Sequence, residues 1–98
     1  HIDLRGRQEA TASHRVLLGM GVRQDLRRAG LGTRLVQTAL GWAREHPAFK
    51  WVDLKVLAQN HKARALYARV GFHETGEVAD RYRIGGVPVG EVSMSFKL

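Results

Sequence analysis

In residues 27–36, RRAGLGTRLV, two arginines and two glycines stand directly before an apolar pattern of helical period. Upstream of this stretch the period is two. Ala12, His14, Val16, Leu18, Met20 and Val22 alternate with Ser13, Arg15, Leu17, Gly19 and Gly21, which predicts a long strand. From Leu31 onward the spacing changes. Leu31, Leu35, Ala39 and Trp42 or Ala43 align on one helix face, Val36 and Leu40 widen the stripe, and Pro47 ends it. Residues 27–36 are therefore read as a strand-to-helix junction. A helix start carries unpaired N–H groups and partial positive charge. Gly30 and Gly32 let a ligand approach the backbone, and Arg27 and Arg28 add formal charge. Together they predict a cradle for an anion such as a pyrophosphate.

Working outward, Ile2 to Gly6 reads as a strand running into a turn around Arg7 to Glu9. Beyond the helix, Val52, Leu54 and Val56 alternate with Trp51, Asp53 and Lys55, a second strand pattern. Asn60 is a good N-cap for a short helix whose buried stripe is Ala63, Leu66 and Val70, with Gly71 placed for a left-handed C-terminal residue. Phe72 to Ile84 and Val87 to Leu98 read as strands joined at Gly85-Gly86, a favoured hairpin dipeptide. The predicted order is strand, strand, helix, strand, helix, strand, strand. The fold class is α/β, a mixed and mostly antiparallel sheet with two helices packed on it.

The 98 residues, 44% of them apolar, suit one small domain. Cysteine is absent, which excludes disulfides and thiolate metal sites and fits a cytoplasmic protein. No run is long enough to predict a membrane-spanning helix. His1, His46, His61 and His73 show no metal-ligand spacing, so no metal is expected. The net charge of +7 and pI near 10.8 favour polyanions in general, but the arginines are spread along the chain.

Two nucleotide motifs fail. The P-loop string Gly-x-x-x-x-Gly-Lys-Ser/Thr does not occur. A dinucleotide fingerprint from Gly30 needs glycine where Leu35 stands, and one from Gly19 needs it where Gln24 stands. Another pattern fits. Val22 to Gly32, VRQDLRRAGLG, resembles the acetyl-CoA loop of the GNAT acyltransferase superfamily, Gln/Arg-x-x-Gly-x-Gly/Ala, with Arg27, Gly30 and Gly32 at its three fixed positions. Asn60 to Phe72, NHKARALYARVGF, resembles that family's Asn-x-x-Ala-x-x-Leu-Tyr-x-x-x-Gly-Phe segment at every fixed position. One helix and one strand separate the two blocks, as in the family.

The resemblance implies the C-terminal portion of an acyl-CoA N-acyltransferase fold, acetyl-CoA as cosubstrate, and an amine acceptor. Family domains begin with a strand, two helices and a strand before the point where this chain starts, so residues 1–98 are expected to be a single, N-terminally incomplete domain. By resemblance, backbone groups of Met20 and Val22 hold the pantetheine arm. Backbone groups from Arg28 through Ala29, Gly30 and Gly32 to Thr33 hold the pyrophosphate, with charge from Arg27 and Arg28. Asn60 reaches the pantetheine arm, and Tyr67, seven residues on and on the same helix face, protonates the departing thiolate. Many relatives carry a carboxylate base on the long strand. Here Val16 aligns with it, and His14, two residues earlier on the same face, is the titratable replacement, with a water chain as its rival.

The expected reaction is acetyl transfer to a primary amine by direct attack in a ternary complex. Glu74, Glu77, Asp80 and Glu91 on the terminal strands are candidates to attract a cationic amine. Two rivals stay open: an acyl-CoA-binding module without turnover, and a basic nucleic-acid-binding domain. The latter is disfavoured because the aromatics fall mostly within apolar patterns. A homodimer is left open, and no membrane partner is expected.

Overall fold

Two periodicities in the described chain lay down one sheet and one layer of helices. The computed structural model describes residues 2–6, 13–20 and 29–98. In them the order is β1 (Ile2–Gly6), β2 (Arg15–Met20), α1 (Ala29–Glu45), β3 (Trp51–Leu57), α2 (His61–Val70), β4 (His73–Ile84) and β5 (Val87–Lys97). The five strands form a single sheet in the order β1-β2-β3-β5-β4. Only the β2–β3 pair is parallel, and α1 is its crossover, as a parallel connection requires. The mixed, mostly antiparallel sheet with two helices is thus the expected one.

Val36, Ala39, Leu40 and Ala43 are buried along α1 at helical spacing, and Ala63, Leu66 and Tyr67 along α2. Both stripes close over Val16, Leu18, Val52, Leu54, Val56, Val92 and Met94 from β2, β3 and β5. Each such side chain taken from water contributes about 1.5–3 kcal/mol. Between the two residues left open for the helix stripe, the structure selects Ala43. Trp42 is 58% exposed.

Two boundaries differ from expectation. Strand β2 starts at Arg15, because Ser13 and His14 form a turn in which the His14 carbonyl accepts the N–H groups of Lys50 (2.7 Å) and Trp51 (3.2 Å). Those bonds tie the start of β2 to the start of β3. Helix α1 starts at Ala29, two residues before its first patterned leucine.

The C-terminal punctuation is as read. Gly71 caps α2 at φ 124°, donating to the carbonyls of Tyr67 and Ala68. A Cβ there would stand 2.8 Å from the Phe96 ring, so a glycine is required twice over. Gly85 and Gly86, at φ 58° and 79°, make the β4–β5 turn. Among the described residues no helix is long and apolar enough to cross a membrane.

Candidate functional site

The β2–β3 ladder is short. It pairs Arg15 with Trp51, Val16 with Val52 and Leu17 with Asp53, and there it ends, although β2 continues to Met20 and β3 to Leu57. Past that rung each strand follows its other neighbour. Leu18, Gly19 and Met20 pair with Leu4, Asp3 and Ile2 of β1, while Leu54 to Leu57 pair with Met94 to Glu91 of β5. The result is a fork whose inner edges present backbone N–H and C=O groups outside the recorded ladders. Such groups demand partners, and an extended ligand can supply them.

Helix α1 follows β2 in the chain order, with Ala29 and Gly30 in its first turn, Gly32 buried and Thr33 half-buried. That first turn holds no acidic residue, so nothing in it repels an anion at the positive helix end. Helix α2 departs beyond the tip of β3. Its cap, Asn60, accepts the Ala63 N–H through Oδ1 at 3.2 Å, which leaves the carboxamide NH2 to donate outward. Tyr67 is only 6% exposed, with its ring edge-on to Phe72 at 5.8 Å. Burial pushes its phenol above the ordinary value, so at neutral pH it holds its proton.

The face of the sheet away from the helices is polar. Asp53 is buried between two apolar neighbours in sequence and is held from both sides. Arg15 donates to it through Nε (2.8 Å to Oδ2) and Nη2, and Ser95 Oγ donates at 2.7 Å. The same guanidinium lies 4.9 Å from the centre of the Trp51 ring. The Asp53 hydrogen bond is the main reason the Arg15 pKa is raised. Further along this face, the end of β3 and the hairpin border a shallow, open depression of about 420 Å³ flanked by Lys55, Leu57, Tyr82, Arg83, Ile84 and Glu91. Tyr82 donates its hydroxyl to Glu91 Oε2 at 2.9 Å.

The expected site residues fall into three groups. Met20, Ala29, Gly30, Gly32, Thr33, Asn60 and Tyr67 lie on the elements that bound the fork. His14 does not: it is exposed in the turn at the closed end of β2, and the six steps from there to Met20 span about 20 Å of strand. Val22, Arg27 and Arg28 lie outside the described residues. Sequence reasoning missed the Arg15–Asp53–Ser95 network. Its one local signal was a carboxylate between Val52 and Leu54, which needs a partner if the strand is buried. Glu91 was one of four acids considered, and only the fold sets it apart.

The sheet order, with α1 between β2 and β3 and the Asn60–Tyr67 segment opening α2 after β3, is the C-terminal portion of the fold that the sequence resemblance implied. The chain matches the model of the acetyltransferase (GNAT) family over residues 2–72. It belongs to that family. Over 71 residues it is 35% identical to the 5-NmdU N-acetyltransferase of Pseudomonas phage PaMx11, a match covering 72% of this chain and 48% of that protein. The chain thus spans about half the length of the curated relative it matches.

Among solved structures, the GNAT-family acetyltransferase of Streptococcus pneumoniae superposes with a TM-score of 0.90 at 22% identity, covering 99% of this chain and 58% of that one. The Salmonella typhimurium protein yncA, solved with its cofactor acetyl-CoA, gives 0.88 at 18% identity, covering 99% and 56%. At these identities the two likenesses show the GNAT fold.

Proposed function

We propose that this GNAT domain transfers acetyl from acetyl-CoA to a primary amine by direct attack in a ternary complex. The fork carries the reading. Its inner strand edges, outside any strand pairing among the described residues, suit an extended amide-bearing arm, and the acid-free start of α1 suits a pyrophosphate. Main-chain groups at Met20 and Val22, those from Arg28 through Ala29, Gly30 and Gly32 to Thr33, the charges of Arg27 and Arg28, and the Asn60 carboxamide would hold acetyl-CoA. What acetyl-CoA supplies is an activated acyl group on a thiol leaving group. The phage relative is by name an N-acetyltransferase, which supports nitrogen as the nucleophile.

In this reading the amine nitrogen bonds to the acyl carbon, the carbon–sulfur bond breaks, and the sulfur takes a proton. Tyr67 donates that proton, since its raised pKa keeps the phenol protonated until the sulfur becomes basic. The proton lost by the amine passes to water. His14, at the closed end of β2, is the rival acceptor.

The test is Tyr67→Phe. We expect kcat and kcat/KM to fall together by about 10²-fold while acetyl-CoA affinity, measured by calorimetry, stays put. Wild-type turnover in this variant would make Tyr67 a packing residue. A pH–rate profile for two amines of separated pKa decides the base. A limb abolished by His14→Gln assigns it to His14, and one that follows the amine assigns it to water.

A further inference from the structure

We infer that Arg64 is a positioning residue for acetyl-CoA: it bridges β4 and the turn before α2, and so fixes the Asn60 carboxamide that the cofactor meets. This rests on the reading of Asn60 as a contact of the pantetheine arm, whereas the bridge itself stands on geometry alone. The turn is closed by the Asn60 N–H donating to the Leu57 carbonyl at 2.9 Å. Its central peptide joins Ala58 to Gln59, and the orientation of that peptide is what distinguishes one β-turn type from another. Arg64 holds that orientation directly. Its Nη1 donates to the Ala58 carbonyl at 2.8 Å.

The guanidinium is in turn held from β4. Nε donates to Glu74 Oε2 at 3.0 Å and Nη2 to Oε1 at 3.1 Å, a bidentate pair. Such a pair fixes direction as well as distance, which sets it apart from the ordinary exposed ion pair. Ala58 is also tied to β5, where its N–H donates to the Gly90 carbonyl at 2.8 Å. Both main-chain groups of Ala58 are thus committed, one to β5 and the other through Arg64 to β4. The turn is braced against both strands of the hairpin.

What the brace steadies lies two residues further on. Asn60 Oδ1 accepts the Ala63 N–H at 3.2 Å, and the Arg64 N–H donates to the Asn60 carbonyl at 3.1 Å. Rotation of the Ala58–Gln59 peptide would change the path of the chain into Asn60, and the aim of its NH2 group with it. A donor aimed before binding loses no freedom on binding. Charge alone predicts something else. A cation near the CoA phosphates would help them whatever its geometry, and a carboxylate would hinder them. The two accounts therefore differ in sign at Glu74.

The experiment is calorimetry of the full chain with acetyl-CoA, beside amide hydrogen exchange at Ala63 in the free protein. Arg64→Ala should raise the Kd about tenfold, and Arg64→Lys, which keeps the charge but not the bidentate geometry, about fivefold or more. Glu74→Gln should raise it about threefold, although the loss of a negative charge would by itself tighten binding. Asn60→Ala should weaken binding about tenfold, and adding Arg64→Lys to it should cost less than about twofold more. Without ligand, Ala63 exchange should speed about threefold or more in the Arg64 and Glu74 variants. If Arg64→Ala loses its native melting transition, Arg64→Lys and Glu74→Gln carry the test.

The inference is overturned if Arg64→Lys or Asn60→Ala binds acetyl-CoA as wild type does, or if Glu74→Gln binds it as tightly or more tightly. It is also overturned if the Arg64 and Asn60 losses add in full, or if Ala63 exchange is unchanged. The free-protein measurement separates the two readings. A wild type that fails to bind acetyl-CoA, with Ala63 exchange responding as expected, removes the cofactor reading and leaves Arg64 as the residue that aims Asn60.

Discussion

The two faces of the sheet are built from alternate residues of the same strands, yet they are different materials. Val52, Leu54 and Val56 point under the helices with Val92 and Met94, while Asp53 and Lys55 share the other face with Ser93 and Ser95. A period of two sends every second side chain to each side, so one strand can be pure core on one face and polar on the other. The covered face holds the fold together by apolar burial. On the open face, specific hydrogen bonds orient the charges. Damage to the two faces should therefore read out differently.

The largest effect is expected on the covered face. Leu54→Ala removes a fully buried side chain between strand and helices and should cost about 3 kcal/mol in chemical denaturation. One position away, exposed Lys55→Ala should stay within about 0.5 kcal/mol. Equal losses at the two positions would break the contrast between the faces.

A middle effect belongs to Asp53, where the open face is itself buried. Asp53→Asn deprives Arg15 of its counter-charge and should cost about 2 kcal/mol, with part of the loss recovered by adding Arg15→Met. Full additivity of the two substitutions would mean that the pair is not coupled.

The smallest effect is on pH dependence. The Tyr67 phenol is raised by burial, and the Tyr82 phenol mainly by its hydrogen bond to the Glu91 carboxylate. Above about pH 10 the unfolded chain releases these protons before the native one does, so stability declines as pH rises. Phenolate absorbance near 295 nm should therefore appear late. Tyr67→Phe should flatten the decline more than Tyr82→Phe, because Tyr82 is open to solvent. The reverse order would place the stronger constraint on the hairpin.

Local chemistry was legible in the sequence and long-range geometry was not. Asn60, Gly71 and Gly85-Gly86 act within a few residues of themselves, and the structure uses each as its chemistry suggests. Alternation located β2 but could not say where its pairing begins, since Ser13 and His14 continue the pattern while turning. Trp42 and Ala43 flank one edge of the helical stripe, and packing chose the smaller side chain. Arg15, Asp53 and Ser95 are separated by 38 and 42 positions, so no window along the chain contains them together. Glu91 looked like three other acids until folding set the Tyr82 hydroxyl 2.9 Å from it. The expected anion loop at Val22, Arg27 and Arg28 lies outside the described residues.

A sheet that is paired for three rungs and then parts is, mechanically, a crack, and what matters in a crack is its root. The last rung joins Leu17 to Asp53. At that level a guanidinium from β2, a carboxylate from β3 and a hydroxyl from β5 are bonded to one another across the sheet. They act as a rivet, and the separation cannot run further without pulling an ion pair apart. The place where the two strands part is therefore fixed by folding, the kind of preorganisation that spares a ligand the cost of ordering its site.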